Sequence, residues 1–201
     1  MYTPDYFLNR NREKIKKFLE KNSFGILLSI NGDNIENTGI PFIFDFNSDR
    51  ITLYGHMARN NQQWRTSVGK KVTVLFLGPH HYISPRWYIE ESSVPTWDYV
   101  IIRMTGPMEL VDRENTENIL KRLSDRFDKE WSDLKKEKES YYQNMIREIV
   151  AFKIDVNETI ANWKMSQNHS KEDISNVIEN LERLGTSESI DTAREIRDSN
   201  S

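Results

Sequence analysis

Between residues 24 and 110 the chain repeats one pattern, and that pattern restricts its fold more than any single motif. Runs of apolar and β-branched residues, short enough to be strands, end in turn signals at Asn31-Gly32, Asn47-Ser48-Asp49 and Gly78-Pro79. The runs cover Phe24 to Ile30, Glu36 to Asp45, Ile51 to His56, Lys71 to Leu77 and Trp97 to Leu110. Asn31-Gly32 predicts a type I′ hairpin, whose two central residues both need positive φ. Gly78-Pro79 is expected to end its strand, because proline cannot donate to a central ladder. Gly106-Pro107 suggests a bulge or bend within the fifth run. Consecutive short strands joined by tight turns point to an antiparallel barrel or sandwich.

Helical periodicity flanks this region. Asn11 can cap a helix over residues 12–21, where Ile15, Phe18 and Leu19 recur at helical spacing. The polar stretch from Arg59 to Trp64 is expected to open a short helix. Residues 112–147 read as helical, with Ile119, Leu120, Leu123 and Phe127 in one stripe, and Trp131 to Leu134 leading into the charged run Lys135 to Lys138. That run reads as a solvated face. A sixth strand, Ile149 to Ile154, follows. Ile174, Val177, Ile178, Leu181 and Leu184 then place an amphipathic helix over 171–184, with Gly185 as its stop. The expected organisation is one domain over 1–184, including a helical insert at 112–147 and the helix at 171–184, and a polar, flexible tail at 185–201.

Charge and composition exclude several functions. Lys plus Arg number 28 against 31 Asp plus Glu, a net charge of −3, which argues against a protein whose main task is gripping DNA. The chain has no cysteine, so thiolate nucleophiles and zinc-thiolate sites are ruled out and a reducing, cytoplasmic setting fits. No apolar run approaches the roughly 20 residues that span a bilayer. Neither a P-loop nor a dinucleotide Gly-x-Gly-x-x-Gly turn is present, and no Gly-x-Ser-x-Gly marks an acyl-transfer nucleophile.

Four clusters place polar and aromatic groups at strand ends, where barrels present ligand sites. In the first, Tyr54 to Trp64, Gly55 and Ala58 would admit a ligand to the backbone. Arg59, Asn60 and Asn61 at the strand-to-helix junction could cradle a phosphate, or simply cap the helix. In the second, His80, Tyr82 and Ser84 share one face of an extended segment and could line a polar pocket. Adjacent His80 and His81 point to opposite sides, poor spacing for one metal ion, and Trp87 and Tyr88 read as surface aromatics at a subunit contact. In the third, Trp97 and Tyr99 flank Asp98 and could stack on a flat ring or anchor a strand. In the fourth, Lys164, Ser166 and Gln167 could complete an anionic or amide-rich ligand site, or form a polar connector.

Taken together, Gly55-His56-x-Ala58-x-x-Asn61-x-Gln63-Trp64-Arg65, Gly78-Pro79-His80-x-Tyr82-Ile83-Ser84, Val94-Pro95-Thr96-Trp97-x-Tyr99 and Lys164-x-Ser166-Gln167-Asn168 resemble the PaiB family of FMN-binding negative transcriptional regulators. The resemblance implies a mainly β fold with flanking helices, a split β-barrel related to the pyridoxamine-phosphate oxidases. It implies a homodimer with FMN at the subunit interface and negative control of sporulation and extracellular protease genes, by a non-enzymatic protein. An FMN-dependent oxidoreductase or a haem-handling enzyme of the same superfamily is the alternative. Carried over by residue, the cofactor-binding set is Thr38, His56, Ala58, Arg59, Asn60, Asn61, His80, Tyr82, Ser84, Lys164 and Gln167, with no metal site. The sequence departs from the family pattern at Gln62, where proline is expected, and at Gly39, where histidine is expected.

Overall fold

The computed structural model describes residues 3–47, 49–89, 94–128, 130 and 139–200. Ser48 of the expected turn, residues 90–93 and the segment from Trp131 to Lys138, with its charged run, lie outside the described residues. Eight strands are described: β1 (Phe24–Asn31), β2 (Asn34–Pro41), β3 (Ile43–Phe46), β4 (Ile51–Ala58), β5 (Lys71–Ile83), β6 (Thr96–Leu110), β7 (Ile149–Val156) and β8 (Glu158–Lys164). The helices are α1 (Arg12–Lys21), α2 (Gln63–Ser67), α3 (Arg113–Phe127), α4 (Glu139–Arg147), α5 (Lys171–Leu184) and α6 (Ser187–Ser199). The strands order as β2-β1-β5-β6-β7-β4-β3, with β8 on β6. Every pair with a defined register is antiparallel.

Contacts group the chain into two compact units, one of residues 1–15, 77–102 and 160–201, the other of residues 16–76 and 103–159. In the second unit Phe42, Phe76 and Phe152 are fully buried and meet edge to face, at 5.6 and 6.3 Å between ring centroids. Such aromatic contacts add packing energy to the area they bury. Helix α3 lays Ile119 and Leu123 on Ile43 and Ala151. Asp112 caps it, accepting from the Asn115 amide at 2.8 Å. Leu120 is only half-buried and Phe127 is exposed, so the expected apolar stripe narrows to two positions.

The β1–β2 hairpin forms as expected, but its turn is shifted. Asn31 pairs with Asn34, so Gly32 and Asp33 are the central residues, and only Gly32 has positive φ, at 60°. That is the requirement of a II′-like turn, not of type I′. The expected return strand from Glu36 to Asp45 is two strands. At Phe42 the backbone amide turns to Ser23 O at 2.8 Å, and the chain leaves β1 to pair with β4. Strand β5 runs through Gly78-Pro79 instead of stopping there.

In the first unit Trp163, Met165, Val177, Leu181, Ala193 and Ile196 form a core with almost no exposed surface. Strand β8 was not legible as a strand: Ala161, Asn162 and Trp163 are buried in succession, so the alternation that marks a half-buried strand is missing. The expected flexible tail is corrected as well. Residues 187–199 form α6, opened by a capping box between Thr186 and Ser189 and packed through Ala193 and Ile196. The Trp163 indole donates to Glu195 at 2.6 Å, joining β8 to α6.

Candidate functional site

Two candidate residues of the second unit, Thr38 and Asn61, meet where the β1–β2 hairpin meets α2. Thr38 lies on β2 and Asn61 just before α2, and the structure joins them: Asn61 Nδ2 donates to Thr38 Oγ1 at 2.9 Å. Thr38 Oγ1 in turn donates to Gln63 Oε1 at 2.5 Å. Gln63 is the centre of the arrangement. Its buried amide reaches Leu27 O, Ser29 Oγ and Glu36 O at 3.0 to 3.2 Å, so one side chain clamps α2 to both strands of the hairpin. Next to it Thr66 donates to Glu36 at 2.5 Å and holds that carboxyl below its ordinary range. The sequence signal for this clamp was the Asn61-x-Gln63 spacing, which reads as a ligand motif but folds as an internal tie.

The corner expected to hold a phosphate is largely committed to its own chain. The Arg59 amide donates to Glu148 O, the Asn61 amide to Ala58 O and the Gln63 amide to Asn61 Oδ1. Arg59 turns its guanidinium to Arg147 O at 2.6 Å and Ile149 O at 2.9 Å. Asn60 and Ala58 are exposed. Gly55 does not open the backbone to a ligand: an added Cβ would meet Ile40 Cγ2 at 2.9 Å and Phe152 Cζ at 3.0 Å, so the glycine makes room for the core. Gly39 makes room for an exposed ring instead, since a Cβ there would come within 2.7 Å of Phe24 Cζ. His56 sits in β4 opposite Ala151, with Nδ1 buried and without a hydrogen-bond partner among the described residues. Burial pulls its pKa below the ordinary 6.5 and keeps the imidazole neutral at pH 7.

In the first unit His80 and Tyr82 of β5 come together with Trp97 of β6. The His80 ring stacks on Trp97 at 6.4 Å and Tyr82 meets it edge-on at 6.2 Å. Trp97 remains 53% exposed and Tyr82 39%, so the three rings form an open aromatic platform. Lys164, at the end of β8, is fixed beside it by Thr96 Oγ1 at 2.5 Å and Trp97 O at 2.6 Å. Its ammonium lies 3.5 Å from the buried Asp98 carboxylate. Ser166, held at a φ of 60°, donates to the other Asp98 oxygen at 2.6 Å. The third and fourth sequence clusters are thus one network.

Burial pushes the Asp98 carboxyl up, opposed by Ser166 and Lys164. The same burial, with the Asp98 charge, pushes the Tyr88 hydroxyl up to about 12. Tyr88 is not a surface aromatic: it is buried and stacks on His169 at 4.4 Å. Ser84 and Gln167 do not face the platform's open side. Ser84 is buried and caps a 3-10 turn at Pro85–Trp87, while Gln167 closes its own turn on Met165 N and Trp163 O. Among the described residues no group of three or more His, Asp or Glu could hold a metal ion, and no helix is long and apolar enough to cross a membrane.

Comparison with known proteins defines the class. The fold is that of the flavoprotein split β-barrel, mainly antiparallel sheet with flanking helices. Solved structures that share it include the FAD and haem binding protein of Mycobacterium smegmatis (TM-score 0.61, 16% identity, 84% of this chain and 79% of that one) and the flavocytochrome Anf3 of Azotobacter vinelandii (TM-score 0.62, 13% identity, 87% and 78%). At those identities the likeness is one of fold. Residues 1–158 match the family model described as "Putative FMN-binding domain", and the chain belongs to that family. Among curated relatives it is 34% identical over 189 residues to the Protease synthase and sporulation protein PAI 2 of Bacillus subtilis strain 168, covering 90% of this chain and 89% of the relative. This places it in the PaiB family that the four motifs resemble.

Proposed function

We propose that this protein binds FMN and acts as a non-enzymatic regulator of protease synthesis and sporulation, as a cytoplasmic homodimer. The observation that carries the cofactor half is the platform of Trp97, Tyr82 and His80 with the fixed Lys164 beside it. An open indole face fits a flat ring system, and a preset cation fits its electron-rich carbonyl edge or an anionic reduced state. Bound FMN would supply a redox-active isoalloxazine ring, and the chain's own residues would orient it.

The regulatory half rests on the relative's name and on the family resemblance. A net charge of −3 favours control exerted without the protein gripping DNA on its own. The cofactor test is direct. Freshly purified protein, or protein titrated with FMN, is expected to give a flavin spectrum, and Trp97→Ala to weaken FMN binding about tenfold, the upper range for a lost aromatic contact. No flavin uptake, or a haem spectrum in its place, overturns the cofactor half. Steady bleaching by NADH or NADPH with turnover would make the protein an oxidoreductase instead. For the regulatory half, deleting the gene is expected to change secreted protease levels and sporulation; unchanged levels of both would sink it.

A further inference from the structure

Beyond the flavin reading, the second unit holds an open cavity of about 270 Å³ lined by Arg59, just past β4, and by residues of α2, the end of β6, α3, α4 and β7. Its floor is apolar, with Val150 and Ala151, and Trp64 forms one wall. Arg59, Arg113 and Arg147 also line it, and among the described residues no Asp or Glu side chain does. Two of the three guanidinium groups are already held in place. Arg59 is pinned through Nε and Nη2 to the carbonyls of Arg147 and Ile149, which leaves Nη1. Arg113 is held by Gln143 Oε1 at 2.7 Å. Among the described residues the carboxylate paired with Arg113 is Glu117 at 3.6 Å, a half-buried partner one helical turn away from an exposed guanidinium, a pairing of the kind that contributes little.

Three positive charges around one hollow, two of them fixed, repel each other, in a chain whose net charge is −3. The arrangement is relieved by an anion, and guanidinium groups suit carboxylate and phosphate oxygens because they donate in pairs. The apolar floor and the tryptophan wall select an anion with a carbon body over an inorganic one. The volume falls just below the roughly 300–1,000 Å³ of pockets for drug-sized ligands, so the occupant is small. We propose that this cavity binds a small organic dianion with an apolar body, such as a dicarboxylate built on one ring, at a site separate from the flavin's.

Flavin-free protein at low ionic strength, titrated with phthalate and followed by tryptophan fluorescence and calorimetry, tests the assignment. One saturable site is expected, with a change in Trp64 emission. Arg113→Met and Arg147→Met should each weaken phthalate about tenfold, the worth of one charge-assisted hydrogen bond, and leave FMN affinity unchanged. Both side chains are exposed, so these variants should keep the wild-type thermal midpoint. Shifts of the arginine Nε resonances in the unmodified protein give a check free of substitutions. Absence of a saturable phthalate site, or unaltered affinity in both variants, overturns the proposal. So does one-for-one displacement of phthalate by FMN, which would assign the cavity to the flavin tail. Phthalate binding in a protein that takes up no FMN would leave this proposal standing while the flavin reading fell.

Discussion

Gln63 carries more structure than any other polar side chain in the second unit, because its amide is buried and all its bonds end within the chain. Gln63→Leu keeps the volume and removes these four bonds. A loss of about 3 kcal/mol is expected in denaturant unfolding, whereas exposed Asn60→Ala should cost under about 0.5 kcal/mol. Equal effects would mean that the clamp is not structural. His56 sets a different test. Its folded pKa lies below the ordinary 6.5, so protonation favours the unfolded chain: stability is full above pH 6.5 and falls as pH drops through the lower, folded value. Comparing urea midpoints at pH 7 and pH 5.5, wild type should lose more than His56→Gln. An identical acid loss in both would show that His56 is not buried neutral. Both residues stood out in the sequence as ligand candidates or motif members. Residue type and spacing alone could not say whether Asn61 and Gln63 face a ligand or each other, because the answer depends on strands β1 and β2 arriving from earlier in the chain.

Among the elements, the sequence was most legible where a local signal agreed with the tertiary one. Asn11 does cap α1, accepting from the Lys14 amide at 3.0 Å, and Gly185 does stop α5 in the left-handed region. Legibility failed where packing overrode composition. Residues 185–201 look like tail because they are polar, yet burying only Ala193 and Ile196 among small hydroxyl residues suffices to dock α6. Strand β5 passes Gly78-Pro79, where composition predicts a stop, and β8 lacks the expected alternation. The α6 reading has a direct check. Ile196 has no exposed surface, so Ile196→Ala should cost about 3 kcal/mol by the usual burial and cavity terms. A frayed tail would tolerate the change, and a cost below about 0.5 kcal/mol would return residues 187–199 to that status.

For the whole molecule, the remaining question is what covers its exposed apolar groups. Leu77, Tyr82 and Trp97 lie exposed in the first unit, as do Phe24, Ile30 and Ile35 on the β1–β2 hairpin of the second. Lone exposed apolar residues are ordinary, but an aromatic platform of stacked rings is the composition of an interface core. If a second copy covers the platform, the same residues serve both the dimer and the flavin, and the two properties must fail together. Trp97→Arg is therefore expected to give monomers in sedimentation at micromolar concentration and to lose FMN in the same samples. Ile30→Lys, at the hairpin tip, should leave both intact. A Trp97→Arg protein that stays dimeric while losing FMN would confine the platform to cofactor binding. A wild-type chain that sediments as a monomer would remove the interface reading altogether, and any flavin site would then have to be complete within one copy.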